Sequence, residues 1–284
     1  MFRLEANSRS EGGVDGNVRG IAFSPNGKFL AFSALDRKRA ILIWDVHTGK
    51  QLRKVELQNS NALLDNLKLW DLEQHRHIAK PKAHQHHEPI KCMAYSPEGD
   101  HIACGTFDST LQLWDVESQQ QLPLPSNPSS EITCVALSSN GKFIAVGLQC
   151  GTLRIWDVET LAQIGHDLAG GEGRICSVAF SPDNARVASS SSVVKIWDVE
   201  TQRQRGDTSQ LWPRSHAVHC IVFSPDGRYI VSSCEDKTVR TWDTVENCQV
   251  GDHLRLDDCA LCIALSPDGL VACGGCLDGV LRIW

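Results

Sequence analysis

Four cysteines near the end of the chain carry the clearest chemical pattern in it. Cys259-x-x-Cys262 and Cys273-x-x-Cys276 have the spacing of a zinc site, in which four thiolates close a tetrahedron around the ion. A second candidate is the group His75, His77, His84, His86 and His87, since neutral imidazoles ligate metals. His86 with Asp108 would also suit a base and its orienting carboxylate. The triplet Arg37-Lys38-Arg39 would attract an acidic partner. Enzyme motifs with a stricter grammar are missing. There is no Gly-x-x-x-x-Gly-Lys-Ser/Thr to cradle phosphate and no Gly-x-Ser-x-Gly nucleophile turn. His87-Glu88 runs into Pro89, which opposes the helix of a zinc protease.

The elements that must position these residues follow a period. Trp44, Trp70, Trp114, Trp156, Trp197, Trp242 and Trp284 are separated by steps of 26, 44, 42, 41, 45 and 42 residues, and all but the last precede an aspartate. Self-similarity at a period near 42 is the signature of a repeat architecture with four strands per unit. Within each repeat a short alternating run comes first, as in Val178 and Phe180 or Ile221 and Phe223, and period-2 alternation marks a half-buried strand. A turn follows: Asn26-Gly27, Glu98-Gly99, Asn140-Gly141, Asp183-Asn184, Asp226-Gly227 and Asp268-Gly269. These residue types tolerate the positive φ that tight hairpins require. A second strand, a second turn and a third strand ending in the tryptophan complete the pattern, and a polar fourth strand lies outside. No helix-period segment of useful length interrupts it.

The register reassigns the tempting residues. Cys262 stands three residues before Leu265, as Cys92 stands before Tyr95, Cys134 before Leu137 and Cys220 before Phe223. That is a small-residue position on the first strand, where cysteine serves as a compact apolar side chain. No metal or cofactor is expected there, nor at the histidines, which fall in a polar connection. No catalytic residue is expected.

Bulk properties narrow the function class. The chain has 284 residues and a formal net charge of −6, against the basic surface that nucleic acid or anionic membrane would select. The start, MFRLEANSRSEGG, lacks the apolar run of a secretory signal, and no apolar stretch reaches transmembrane length. Twelve cysteines in a chain this long fit reduced thiols and a cytoplasmic or nuclear location.

The Ser-Pro-Asp-Gly turn, the aspartate six residues before the tryptophan and the terminal Trp-Asp resemble the WD-repeat β-propeller family over nearly the whole chain. The regular form "FSPDG…IVSS…DKTVRTWD" also resembles fungal WD arrays, some of which form the sensor end of larger NTPase receptors. The resemblance implies a single all-β domain over residues 1–284, closed by its N- and C-terminal strands, with Phe2–Ala6 as the closing strand. It implies a non-catalytic scaffold, adaptor or sensor module that binds a protein or peptide, within a multiprotein complex. It implies a structural tetrad of His86, Thr106, Asp108 and Trp114, linking a loop to three strands. The sixth and seventh repeats keep Asp236 and Asp278, with Cys234 and Cys276 at the hydroxyl position. The fourth has Cys150 in place of the aspartate, and the fifth is one residue short there. The second turns carry the expected partner-binding residues Arg37, Lys38, Arg39, Phe107, Gln149, Glu235 and Leu277.

The step from Trp44 to Trp70 lacks room for a Ser-Pro hairpin. Seven blades with the second one stunted are expected. Six blades with an insertion at residues 58–80 are the alternative.

Overall fold

The computed structural model describes residues 2–4, 17–23, 29–35, 40–45, 50–56, 69–71, 76–79, 90–96, 101–106, 108–115, 118, 120–122, 130–205, 216–266, 268–269, 271–274 and 281–283, with side chains between 91 and 269. Every regular element among them is a strand. In chain order they are β1 (Phe2–Leu4), then β2 (Asn17–Phe23), β3 (Phe29–Leu35), β4 (Ala40–Asp45) and β5 (Lys50–Glu56) of the first repeat. The second repeat has β6 (Leu69–Asp71) and β7 (Arg76–Ala79). The third has β8 (Ile90–Tyr95), β9 (His101–Thr106), β10 (Leu111–Asp115) and β11 (Gln120–Leu122). The fourth has β12 (Ile132–Leu137), β13 (Phe143–Leu148), β14 (Thr152–Asp157) and β15 (Leu168–Ala169). The fifth has β16 (Ser177–Phe180), β17 (Arg186–Ser190) and β18 (Val194–Asp198). The sixth has β19 (Val218–Phe223), β20 (Tyr229–Cys234), β21 (Thr238–Asp243), β22 (Cys248–Gln249) and β23 (Leu254–Arg255), and the seventh β24 (Cys262–Leu265), β25 (Val271–Gly274) and β26 (Leu281–Ile283).

Each repeat makes its own antiparallel sheet in simple up-and-down order, and the chain divides into two compact units. One comprises residues 1–59 and 208–284, the other residues 60–207. In the first unit β1 pairs with β26, Phe2 opposite Ile283 and Leu4 opposite Leu281. A strand from the start of the chain thus completes the seventh repeat's sheet, as its alternation predicts. In the second unit, β6 and β7 form a two-stranded sheet with Trp70 opposite His77, while the third and fourth repeats each have four strands. Among the described residues, the second repeat has only its outer strands.

The hairpin turns have the backbone their residues require. Gly141, Asn184, Gly227 and Gly269 have φ of 69°, 59°, 70° and 85°. Each donates its N–H to the carbonyl of the serine three residues before, as Gly227 does to Ser224 at 2.8 Å. The serine hydroxyl then accepts from the N–H five residues on, Tyr229 to Ser224 at 2.9 Å and Phe143 to Ser138 at 2.8 Å. The same hydroxyl donates to the acidic or amide side chain two residues on, as Ser138 does to Asn140 Oδ1 at 2.7 Å. Local bonds of this kind make Ser, Asp and Asn turn residues.

Packing runs from repeat to repeat. In the second unit, Val135 and Leu137 of β12 join a cluster with Ala103, Leu111 and Leu113 of the preceding repeat. The opposite face, Cys134 and Ala136, joins a cluster with Ile175 and Val178 of the following repeat. In the first unit Ile263 and Leu265 pack against Val231 and Val239 in the same way. First strands share a register shift beside their small residue, at Ile90/Cys92, Ile132/Cys134, Val218/Cys220 and Val18/Gly20. A Cβ added at Gly105, which pairs with Cys92, would meet the Cys92 sulfur at 2.7 Å. Sulfur over glycine is why this position is small.

The fifth repeat departs from expectation by more than one residue. Val187 pairs with Trp197 across a hairpin two residues shorter than those joining Ile144 to Trp156 and Ile230 to Trp242. The serine run of residues 189–192 hides the deletion in the sequence.

Candidate functional site

The second turns, which join the second and third strands, are built from local side-chain bonds. In the third repeat Thr106 Oγ1 donates to Asp108 Oδ1 at 2.5 Å, and Thr110 N–H donates to the same carboxylate oxygen at 3.1 Å. Ser109 takes φ of 69° in between. In the sixth repeat Asp236 Oδ1 accepts from Thr238 N–H at 3.1 Å and from its hydroxyl at 2.5 Å. Arg240 donates to Asp236 Oδ2 at 2.7 Å, and both partners are mostly buried. Burial pushes the Asp236 carboxyl up, but the Thr238 hydroxyl and the Arg240 charge outweigh it and hold the carboxyl below its ordinary value. A buried, bonded pair of this kind fixes the turn, because losing one partner strands the other charge.

In the fourth repeat Cys150 stands where that aspartate would be, exposed, its sulfur 3.2 Å from Thr152 Oγ1. Burial would raise this thiol, but hydrogen bonds with Thr152 and Ser130 lower it on balance. Gly151, at φ of 85°, makes the turn. A Cβ there would meet the Gly171 carbonyl at 2.5 Å, so only glycine fits.

Of the residues expected to meet a partner, Gln149 and Glu235 are exposed on these turns. The Gln149 N–H is held by the Glu131 carbonyl at 2.9 Å. Glu235 accepts from Ala217 N–H at 3.2 Å through Oε2, and its backbone carbonyl accepts from the Cys259 thiol at 3.0 Å. Arg37, Lys38, Arg39, Phe107 and Leu277 lie outside the described residues, as does His86 of the expected tetrad. The Trp114 indole N–H donates to Gln112 Oε1 at 3.2 Å. In the sixth repeat Trp242 donates to Ser232 Oγ at 3.2 Å, two residues before the expected Cys234. The register explains this, since Trp242 pairs with Ile230 and Ser232 follows on the same face. The equivalent residue is Val146 in the fourth repeat, and the Trp156 N–H is buried without a partner. In the fifth, Ser189 holds that register but bonds the Gly170 carbonyl at 2.8 Å, and the Trp197 N–H is likewise unpartnered.

Cys92, Cys134 and Cys234 behave as packing groups. Burial pushes the Cys92 thiol up to about 12 and Cys234 to about 11, and raises Cys134 further. A thiol must ionise to bind zinc. Among the described residues no group of three or more His, Cys, Asp or Glu is placed to hold a metal, and no helix is long and apolar enough to cross a membrane.

The chain resembles "Periodic tryptophan protein 2" of Arabidopsis thaliana, 25% identical over 249 residues, which are 81% of this chain and 22% of that protein. It resembles "Apoptotic protease-activating factor 1" of Homo sapiens, 28% identical over 171 residues, 55% of this chain and 13% of that protein. It also resembles "Telomerase protein component 1" of Rattus norvegicus, 25% identical over 259 residues, 81% of this chain and 9% of that protein. The chain thus spans less than a quarter of the length of these relatives. The family described as "WD domain, G-beta repeat" matches residues 9–45, 78–115, 119–157, 160–198, 209–243 and 251–284, leaving out the truncated second repeat. These segments take in every repeat tryptophan described above except Trp70, and the chain belongs to that family, the WD40 repeat proteins, with its all-β propeller fold.

Proposed function

We propose that the chain is a non-catalytic interaction module that holds a protein or peptide partner on its second turns. WD repeats mark protein-interaction scaffolds, and their extent along the chain carries this reading. Rigid turns with exposed Gln149 and Glu235 support it, because recognition concentrates on loops mounted on a fixed scaffold. Arg37, Lys38, Arg39, Phe107 and Leu277 are assigned to the same surface. The partner is a protein in a multiprotein complex, not nucleic acid or membrane, in the cytoplasm or nucleus. We read residues 1–284 as one propeller domain of seven blades, the second truncated, with His86, Thr106, Asp108 and Trp114 as the tetrad of the third.

Affinity purification of the chain from its native cells, with mass spectrometry, tests this reading. The control carries Arg37→Glu, Lys38→Glu, Arg39→Glu and Glu235→Lys and is first checked for an unchanged melt. A near-stoichiometric protein lost in the control is the expected result. A well-folded chain that captures nothing overturns it. A second reading, the sensor portion of a larger NTPase signalling protein, draws on the length of the relatives. It predicts an NTPase domain in the same open reading frame, which sequencing the transcript would reveal or rule out.

A further inference from the structure

Neighbouring repeats meet strand to strand in a fixed way. β12 packs on β8 and β9 of the preceding repeat, β16 on β12 and β13, and β24 on β19 and β20. A first strand is thus covered by the first and second strands of the repeat before it. The sheet before β8 holds β6 and β7 alone among the described strands, and β6 carries the Trp-Asp pair of a third strand. The two strands that would cover β8 are the two that the second repeat lacks. Side-chain burial stops at the same line. Tyr95, Ile102 and Trp114 lie opposite one another across β8, β9 and β10, so they share one face. Ile102 and Trp114 are buried, while Tyr95 and Met93, two residues before it on β8, are exposed. β6 pairs with β7 on one side and with no described strand on the other. A bare strand edge and a bare apolar strip are both what one missing hairpin would leave.

We propose that β6 and β8 form a docking site for a β-hairpin of a partner protein, which supplies the second repeat's first two strands. The hairpin's second strand pairs with the edge of β6, and its apolar face covers Met93 and Tyr95. The contact continues the repeat-to-repeat interface seen at β8 and β12. The intact repeats set the occupant's chemistry. Val222 of β19 and Val231 of β20 share a cluster with Ile263 and Leu265, which hold the places of Met93 and Tyr95. The partner's hairpin therefore carries short aliphatic side chains on one face, contributed by both strands. A helix could cover the strip but would leave the N–H and C=O groups of β6 unpaired. The chain already completes one sheet with a remote strand, β1 against β26. The site is distinct from the second turns, which join second and third strands.

The sixth repeat supplies the probe, because its hairpin already covers such a strip. It is a fluorescein-labelled peptide of residues 218–234 with Cys220→Ala and Cys234→Ala, followed by anisotropy with the full chain. A control peptide adds Val222→Asp and Val231→Asp. A control chain carries Met93→Asp and Tyr95→Asp and is first checked for an unchanged melt. Binding should weaken about tenfold or more with either control, and the melting midpoint of the native chain should rise as peptide is added. A copy of the peptide with a photoreactive benzophenone in place of the Val222 side chain should label β8. The proposal is overturned if the peptide does not bind, if the control peptide binds equally, or if a folded control chain binds unchanged. A label on β24 overturns it too, because the peptide would then have replaced the chain's own sixth-repeat hairpin. So does a chain that takes no peptide and dimerises through Met93 and Tyr95, since a second copy would then cover the strip. Should the control chain unfold, the two peptides and the label on the native chain decide alone. Because the second turns are untouched, a cellular partner retained by the control chain leaves the second-turn reading intact.

Discussion

The repeat tryptophans share a place in the strand but not a hydrogen-bond partner. Trp242 donates to Ser232 and Trp114 to Gln112, while the buried N–H groups of Trp156 and Trp197 go without. An unmade buried bond costs about 1–3 kcal/mol. Ser232→Ala should therefore destabilise by about 1–2 kcal/mol. Val146→Thr, which sets a hydroxyl at the same register beside Trp156, should cost less than about 0.5 kcal/mol or stabilise. Urea titrations of both variants check this, and a larger loss from Val146→Thr than from Ser232→Ala would defeat the argument. The need for an acceptor was legible in the sequence. Its identity was not, because the register decides that Ser232 rather than Cys234 faces the indole. The aspartates of the Trp-Asp pairs are also held in place. Asp157 Oδ1 accepts from Thr160 N–H at 2.7 Å, and Asp198 from Thr201 N–H at 2.9 Å. Those backbone bonds, with the threonine hydroxyls, outweigh partial burial and put both carboxyls below their ordinary value. A depressed folded value contributes stability that is present above the unfolded carboxylate range and lost as pH falls through the folded one. Stability from denaturant titration should therefore decline on acidification below about pH 4, and less steeply in Asp157→Asn with Asp198→Asn.

At the scale of elements, first strands differ in what covers them. Val178 of β16 is 7% exposed and Ile263 of β24 is 6% exposed, each packed on the preceding repeat. Met93 and Tyr95 hold the same face of β8, and each is 49% exposed. The preceding repeat in that unit is the two-stranded β6–β7 sheet. Its shortage of strands follows from the 26-residue step and could be read in advance. The exposure of Met93 and Tyr95 could not, because both look like core residues by pattern. Met93→Asp should cost less than about 1 kcal/mol, and Val178→Asp about 3 kcal/mol or more, for burying a charge. Equal shifts in denaturation midpoint would show that β8 is covered after all.

Over the whole molecule, periodicity carried the fold. One tryptophan per repeat, a glycine or asparagine at each tight turn and a small residue on each first strand place nearly every hairpin. What the period cannot encode is what differs among repeats: the two-residue deletion in the fifth and the acceptor that meets each indole. These depend on single side chains meeting across strands. The pairing of β1 with β26 predicts that removing residues 1–6 lowers the midpoint of thermal unfolding by roughly 3–8 °C, since β26 would be left as a bare sheet edge. An unchanged melting temperature would show that the pairing contributes nothing. The same three-residue pairing bears on how the protein is made. Phe2 meets Ile283, far along the sequence, so the pair cannot form until Ile283 has been translated. The first strand emerges early and must wait, unpaired, until translation has passed Ile283. Earlier repeats can build their hairpins as they appear, while the seventh repeat's sheet is completed last, in the slowest class of contact a chain can make.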